Sequence, residues 1–183
     1  VQHCYIHFFS DGRDTSPESG VRYVQQLLDY MQSLDGYGTL ATVVGRYYAM
    51  DRDKRWERIK IAYDALTVGS GRESTLDQLI PYIKSRYKEK ETDEFLKPIC
   101  LSKEGLIADG DTLIFFDYRS DRMRQITSSF GIERHFEPIK AVKDLKIYTM
   151  TQYNAEFNKY FKVLFPPLTM NNVLAEWISK QGL

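Results

Sequence analysis

Three short segments of this chain bring arginine and aspartate together at the ends of strand-like apolar runs. They are Phe8-Phe9-Ser10-Asp11-Gly12-Arg13-Asp14, Ala41-Thr42-Val43-Val44-Gly45-Arg46 and Phe115-Phe116-Asp117-Tyr118-Arg119-Ser120-Asp121-Arg122. A guanidinium group is a planar fork of donors that grips carboxylate or phosphate bidentately. Arg13, Arg46, Arg119 and Arg122 at one sheet edge, with Arg52 nearby, would hold a small ligand carrying several negative charges. Asp11, Asp14, Asp51, Asp53, Asp117 and Asp121 are interleaved with them, so any single arginine could instead pair with its neighbour and stabilise a loop. The recurrence at three strand ends favours the ligand reading. A carboxylate beside an anion site can also accept a hydroxyl proton, a second possible role for Asp14. Gly12 and Gly45 would allow tight turns where backbone amides approach a ligand. Tyr47, Tyr48 and Trp56 could be pocket wall or core. On the residues alone, the ligand is a phosphorylated small acid.

Such a pocket needs an open α/β sheet, because ligands there sit beyond the carboxyl ends of the strands. Helices that follow those strands add positive N-terminal ends to the same edge. The sequence supplies the alternation. A strand over 4–9 precedes a helix announced by the capping-box spacing of Thr15 and Glu18, with Pro17 in its first turn. Val21, Val24, Leu27, Leu28 and Met31 repeat at helical spacing. A strand over 39–44 follows a turn at 35–38, and a helix from 53 puts Trp56, Ile59, Tyr63 and Leu66 on one face. After a break at 69–71, a helix from 75 turns Leu79, Ile80, Ile83 and Tyr87 inward, and 88–93 reads as a solvated loop. Asp109-Gly110-Asp111 turns into a strand over 112–118, followed by a helix from 120, a strand over 145–150 and a helix from 169. That last helix is expected to bury Val173, Leu174, Trp177 and Ile178. The fold class is α/β: a mostly parallel sheet of about four or more strands flanked by helices, in a single domain.

Composition narrows the function. The 183 residues carry 25 Lys+Arg against 25 Asp+Glu, a net charge of zero, which argues against the broad basic surface of a nucleic-acid binder. With 43% hydrophobic and 27% charged residues the chain has the makeup of an ordinary globular domain. No apolar run approaches the ~20 residues of a membrane span, and no signal-peptide pattern opens the chain. The start, without Met and directly on a strand-like run, suggests processing or a piece of a longer protein. Cys4 and Cys100 both neighbour apolar residues and read as buried, reduced thiols, in keeping with a cytoplasmic setting. His3, His7 and His135 have no ligand spacing, so no metal site is assigned. Walker A, Gly-x-Gly-x-x-Gly, Gly-x-Ser-x-Gly and His-Glu-x-x-His motifs are absent.

Asp11-Gly-Arg-Asp14, the long block from Ala41 to Arg58 (ATVVGRYYAMDRDKRWER), and Asp109 to Arg122 (DGDTLIFFDYRSDR) strongly resemble cofactor-independent phosphoglycerate mutase. The likeness extends over essentially the whole chain, including Met170-Asn-Asn-Val-Leu-Ala-Glu-Trp177. The resemblance implies interconversion of 3-phosphoglycerate and 2-phosphoglycerate, in glycolysis and gluconeogenesis. It implies two domains: an alkaline-phosphatase-like one with a serine nucleophile and two metal ions, usually manganese, and a transferase domain inserted within it. Residues 1–183 look like the transferase domain alone, which holds the glycerate while the phosphoryl group rests on the serine. Carried over, Arg13 and Asp14 bind the glycerate, with Asp14 the catalytic candidate that accepts a hydroxyl proton. Arg46 and Arg52 bind the carboxylate end, and Arg119 and Arg122 hold the phosphoryl group. The serine, the metal ligands and the Gly-Val-His-Ser-His segment of the family have no counterpart here. The isolated chain is therefore expected to bind weakly, to be inactive and to hold no cofactor. Its expected partners are phosphoglycerate and the missing domain, in a monomer hinged near Val1 and Leu183. Asp117 stands where many members have Asn and adds a negative charge near the phosphate site. The alternative is a stand-alone, non-catalytic module that binds a small phosphorylated carboxylic acid.

Overall fold

The computed structural model describes residues 2–168 and 173–182. The expected hinge positions Val1 and Leu183, and 170–172 of the last matching segment, lie outside them. Strand β1 (Tyr5–Ser10) pairs in parallel with β2 (Thr39–Gly45), with a register shift between Ile6 and His7. The crossover between them is α1 (Gly20–Ser33), whose buried residues Gly20, Val24 and Met31 fall on one stripe. From Leu40 to Gly45, β2 is buried throughout, as expected of a central strand covered on both faces.

After β2 come one turn of helix, α2 (Arg46–Ala49), and α3 (Trp56–Val68), which buries Ile59, Tyr63 and Leu66. Gly69 ends α3 in the left-handed region at φ 70°, where its amide reaches back to Ala65 and the next amide, Ser70, to Asp64. Strand β3 (Arg72–Glu73), α4 (Leu76–Lys88), a 3₁₀ turn (Asp93–Phe95) and β4 (Ile99–Cys100) complete the first half. This sheet has the order β1-β2-β4-β3, with only the β2–β4 pair antiparallel. A second, wholly parallel sheet follows, β5 (Thr112–Phe115), β6 (Lys146–Thr151) and β7 (Lys162–Phe165), with α5 (Arg124–Gly131) between β5 and β6.

One apolar core serves both sheets: Val44 from β2, Tyr63 from α3, Phe115 from β5, Phe130 from α5 and Ile147 from β6 all belong to it. A smaller core, including Val24, Leu40, Leu79 and Ile83, sits between α1, α4 and the first sheet. The two faces of β1 and β2 are thus both covered, which leaves their C-terminal ends as the open rim. Among the described residues no helix is long and apolar enough to cross a membrane.

Several expectations need correction. The capping box does not form: α1 starts at Gly20, and Thr15 instead accepts the Gly12 amide at 3.2 Å. Stretch 88–93 is not wholly solvated, because Asp93 is buried. In α6 (Leu174–Lys180), Val173, just ahead of the helix, and Leu174 and Trp177 are exposed rather than inward, with Trp177 at 57%, because none of the described elements packs closely on this two-turn helix. Cys4 is exposed at the start of β1, while Cys100 is buried. Short strands β3, β4 and β7 were not anticipated.

Candidate functional site

The rim is built first by backbone chemistry. After β1 the chain turns at Gly12, at φ 69°, a region open to glycine. The Asp11 carboxylate accepts the amides of Arg13 and Asp14, both at 3.2 Å, an Asx turn that folds the 11–14 loop over its own side chain. At the end of β2, Gly45 leads straight into α2, so Arg46 enters the interior side of the same rim, only 4% exposed. Its Nη1 donates to Asp11 Oδ1 and, at 2.9 Å, to Asp14 Oδ2.

The third segment meets the first two. Beyond β5, Arg119 lies 3.8 Å from Asp14 and donates through Nε to Asp121 at 2.7 Å. Arg52 donates to the other oxygen of Asp121. Arg122 Nη1 donates to the Met50 carbonyl at 3.1 Å, while its Nε is buried with no partner among the described residues. Arg13 is as open as Arg119 and lies 3.6 Å from Glu94. All six residues picked from the sequence, Arg13, Asp14, Arg46, Arg52, Arg119 and Arg122, therefore come together at one edge.

Their electrostatics differ by position. Burial alone would weaken the Arg46 cation, but hydrogen bonds to Asp14 and Asp11 outweigh it and hold its pKa above the usual value. The same hydrogen bond from Arg46 holds the Asp14 carboxyl below the ordinary carboxylate range. Arg119, then Arg52, bring Asp121 down to about 2. Arg122 goes the other way. Burial lowers its pKa first, and repulsion from Arg46, Arg52 and Arg13 lowers it further. A cation held among cations, with an unpaired donor, is a site short of negative charge.

Other candidates sort as structural. Asp51 accepts the amides of Asp53 and Arg55 at 3.0 Å and pairs with Arg55, shaping the start of α3. Asp117 makes no ion pair with the cluster among the described residues, and burial pushes its carboxyl up. Tyr47 takes the Arg58 guanidinium on its ring face at 3.7 Å, and Trp56 lies against the His135 ring at 4.3 Å, so both pack rather than line the rim. The amides of Gly12 and Gly45 are used within the protein, by Thr15 and by the Leu96 carbonyl at 2.8 Å, and are not free for a ligand. Sequence reasoning missed Glu94, which flanks Arg13; a charge run beginning at Lys88 hid it.

A family profile described as "BPG-independent PGAM N-terminus" matches residues 1–155. The chain belongs to that family. As a BPG-independent PGAM chain it is 59% identical, over its whole length, to the 2,3-bisphosphoglycerate-independent phosphoglycerate mutase of Onchocerca volvulus, covering 36% of that protein. It is 51% identical to the protein of the same name from Caenorhabditis elegans, over 99% of the chain and 34% of the relative. A solved Leishmania mexicana phosphoglycerate mutase shares the fold, with a TM-score of 0.79 at 24% identity, over all of this chain and 35% of that one. The chain thus spans about a third of the length of its curated relatives. Among the described residues of this BPG-independent PGAM chain, no group of three or more His, Cys, Asp or Glu could hold a metal ion. The resemblance places its manganese ions on the family's other domain, and the described residues offer no ligand set for them.

Proposed function

We propose that this chain is the substrate-holding transferase domain of a parent phosphoglycerate mutase, which interconverts 3-phosphoglycerate and 2-phosphoglycerate. The observation that carries the reading is the convergence of five arginines on one rim, one of them, Arg122, with a buried donor left unpaired among the described residues. Arg119 and Arg122 hold the phosphoryl group, Arg46 and Arg52 the carboxylate, and Arg13 with Asp14 the glycerate hydroxyls. The phosphoryl group passes to a serine outside this chain and returns to the other hydroxyl of the retained glycerate. On return the serine oxygen–phosphorus bond breaks, the new oxygen–phosphorus bond forms, and Asp14 takes the proton of the accepting hydroxyl.

The Arg46–Asp14 pair gives that last step a trigger. While paired, Asp14 is a weak base, because Arg46 stabilises its anion. A substrate carboxylate that takes over the Arg46 donors frees Asp14, whose pKa then rises toward the ordinary carboxylate value and makes it a better acceptor. Basicity thus appears when substrate is bound. The manganese ions, the serine and the second domain belong to the rest of the parent, and the setting is cytoplasmic glycolysis and gluconeogenesis.

Titration calorimetry tests the reading. The chain should bind 3-phosphoglycerate, and Arg46→Ala and Arg119→Ala should each weaken binding at least tenfold. Unchanged binding in both variants would overturn it. Restoring the flanking segments of the parent should restore mutase turnover, which the chain alone lacks.

A further inference from the structure

Behind the arginine rim lies a turn anchored by the buried Asp93, outside the binding roles given to the arginines. The 3₁₀ turn Asp93–Phe95 receives contacts from four directions. From the end of β1, Ser10 Oγ donates to the Asp93 carbonyl at 2.7 Å. From the end of β2, the Gly45 amide donates to Leu96 at 2.8 Å. From the first turn of α1, the Gly20 amide donates to Asp93 Oδ2 at 2.6 Å, and the Asp93 amide returns a bond to Pro17 at 2.9 Å. From α4, the Tyr87 hydroxyl donates to Asp93 Oδ1.

The fit is close enough to dictate residue type. A Cβ on Gly12 would lie 2.7 Å from both Asp93 Cβ and the Glu94 amide nitrogen. One on Gly45 would lie 2.5 Å from the Glu94 carbonyl oxygen. Both glycines adjoin residues of the rim, Arg13 and Arg46. The turn is thus the common surface on which both loops rest, and Glu94 within it reaches Arg13.

Asp93 is 1% exposed and has no cation partner among the described residues. Burial raises its pKa, and the Glu18 and Asp11 carboxylates raise it further, against the pull of Tyr87 and Gly20. A buried, unpaired carboxylate is a poor way to gain stability, since an apolar residue of similar volume avoids the desolvation penalty. Geometry accounts for it better. Two carboxylate oxygens can join an amide of α1 to a hydroxyl of α4, while the residue's own backbone fastens the end of β1.

We propose that Asp93 is the positioning residue of the arginine rim: the turn it anchors sets the separation of the Arg13 and Arg46 loops. The inference rests on the binding role given to those arginines above. Asp93→Ala removes both carboxylate bonds. Asp93→Asn keeps an acceptor for Gly20 and an amide donor for the Tyr87 oxygen, so it should rescue. Leu79→Ala, in the core between α1 and α4, is the control that lowers stability without touching the turn.

In the 183-residue chain, titration with 3-phosphoglycerate well below each melting temperature is expected to show at least a tenfold weaker Kd for Asp93→Ala. Asp93→Asn and Leu79→Ala should stay within about threefold of the parent sequence, even where Leu79→Ala melts as low as Asp93→Ala. Amide exchange in the ligand-free chain gives an independent readout: protection of the Gly45 amide should fall at least tenfold in Asp93→Ala and not in Leu79→Ala. Unchanged Kd with unchanged Gly45 protection in Asp93→Ala overturns the proposal, as does an equal loss in Leu79→Ala. If the unaltered chain binds no 3-phosphoglycerate, the binding role fails, and Gly45 exchange alone still decides whether Asp93 positions the loop.

Discussion

Replacing Arg122 with Met should make the ligand-free chain more stable and the ligand-binding chain worse. Arg122 has a buried Nε with no partner among the described residues, and an unsatisfied buried donor costs about 1–3 kcal/mol. It also sits against the fields of Arg46, Arg52 and Arg13, which is why its pKa is depressed. What is lost on substitution is one hydrogen bond to the Met50 carbonyl, at 3.1 Å, on a half-buried residue. That carbonyl can turn to water, so the loss is near the low end, roughly 1 kcal/mol. Met keeps an unbranched apolar stem of similar reach. The balance is about 1 kcal/mol in favour of Arg122→Met, which for a domain of this size raises Tm by about 2–4 °C. Binding moves the other way. A hydrogen bond to a charged group contributes about 1.5–3 kcal/mol, so affinity for 3-phosphoglycerate should fall by roughly 10- to 150-fold. Scanning calorimetry in phosphate-free buffer, paired with titration calorimetry, reads both. A lower Tm with unchanged affinity would refute the reasoning and make Arg122 a structural tie to Met50.

Three further outcomes are expected. Tyr63 is fully buried, and its hydroxyl accepts from the Val142 amide at 3.2 Å; Tyr63→Phe strands that donor and should cost about 2 kcal/mol, a Tm fall of about 4–8 °C by scanning calorimetry. Asp121 has a folded-state pKa of about 2, below the ~3.9 of an unfolded chain, so its contribution is present above pH ~4 and disappears as pH falls through 2. Melts of the parent sequence and Asp121→Asn should therefore differ at pH 6 and converge near pH 2; a constant gap at all pH values contradicts the pairing. Burial lowers His7 to about 4, so its ring should remain neutral by NMR until about pH 4. Because the unfolded chain takes up that proton near pH 6.5, stability should fall between pH 6.5 and 4, and His7→Asn should flatten that slope.

How much of this was legible in the sequence depends on the range of the forces involved. The β-branched run at 39–44 and the helical spacing of Ile59, Tyr63 and Leu66 are local signals, and both elements form as expected. The gathering of Arg13, Arg46, Arg52, Arg119 and Arg122 was also legible, because strand ends in an α/β fold share one rim. The pairing of β2 with β4 was not. It joins Thr42 to Cys100 through a two-residue strand too short to show any alternation. Asp93 was hidden for a related reason. In sequence it closes a charge-rich run, Lys88-Glu89-Lys90-Glu91-Thr92-Asp93, and only the approach of Gly12, Gly20 and Gly45 from three distant segments buries it. The Thr15–Glu18 box misled because its threonine found a nearer donor in Gly12.

The zero net charge conceals how the rim works. Five arginines at one edge would repel each other and loosen the loops, yet Asp11 and Asp121 each hold two or more donors from that set or its backbone, and Asp14 holds Arg46 with Arg119 at 3.8 Å. These carboxylates keep Arg46, Arg52 and Arg119 in place before any ligand arrives. A ligand with a single negative charge gains little by displacing one of them, since it exchanges one charged hydrogen bond for another. A ligand with a carboxylate at one end and a phosphate at the other could displace Asp14 from Arg46 and Asp121 from Arg119 together, and it would also satisfy Arg122, which forms no ion pair among the described residues. On the proposed role, selectivity for a doubly anionic ligand would follow from the neutralised ground state rather than from excess positive charge. The same exchange would keep net affinity moderate, which suits the proposed role of holding glycerate through a phosphoryl transfer and then letting the product go.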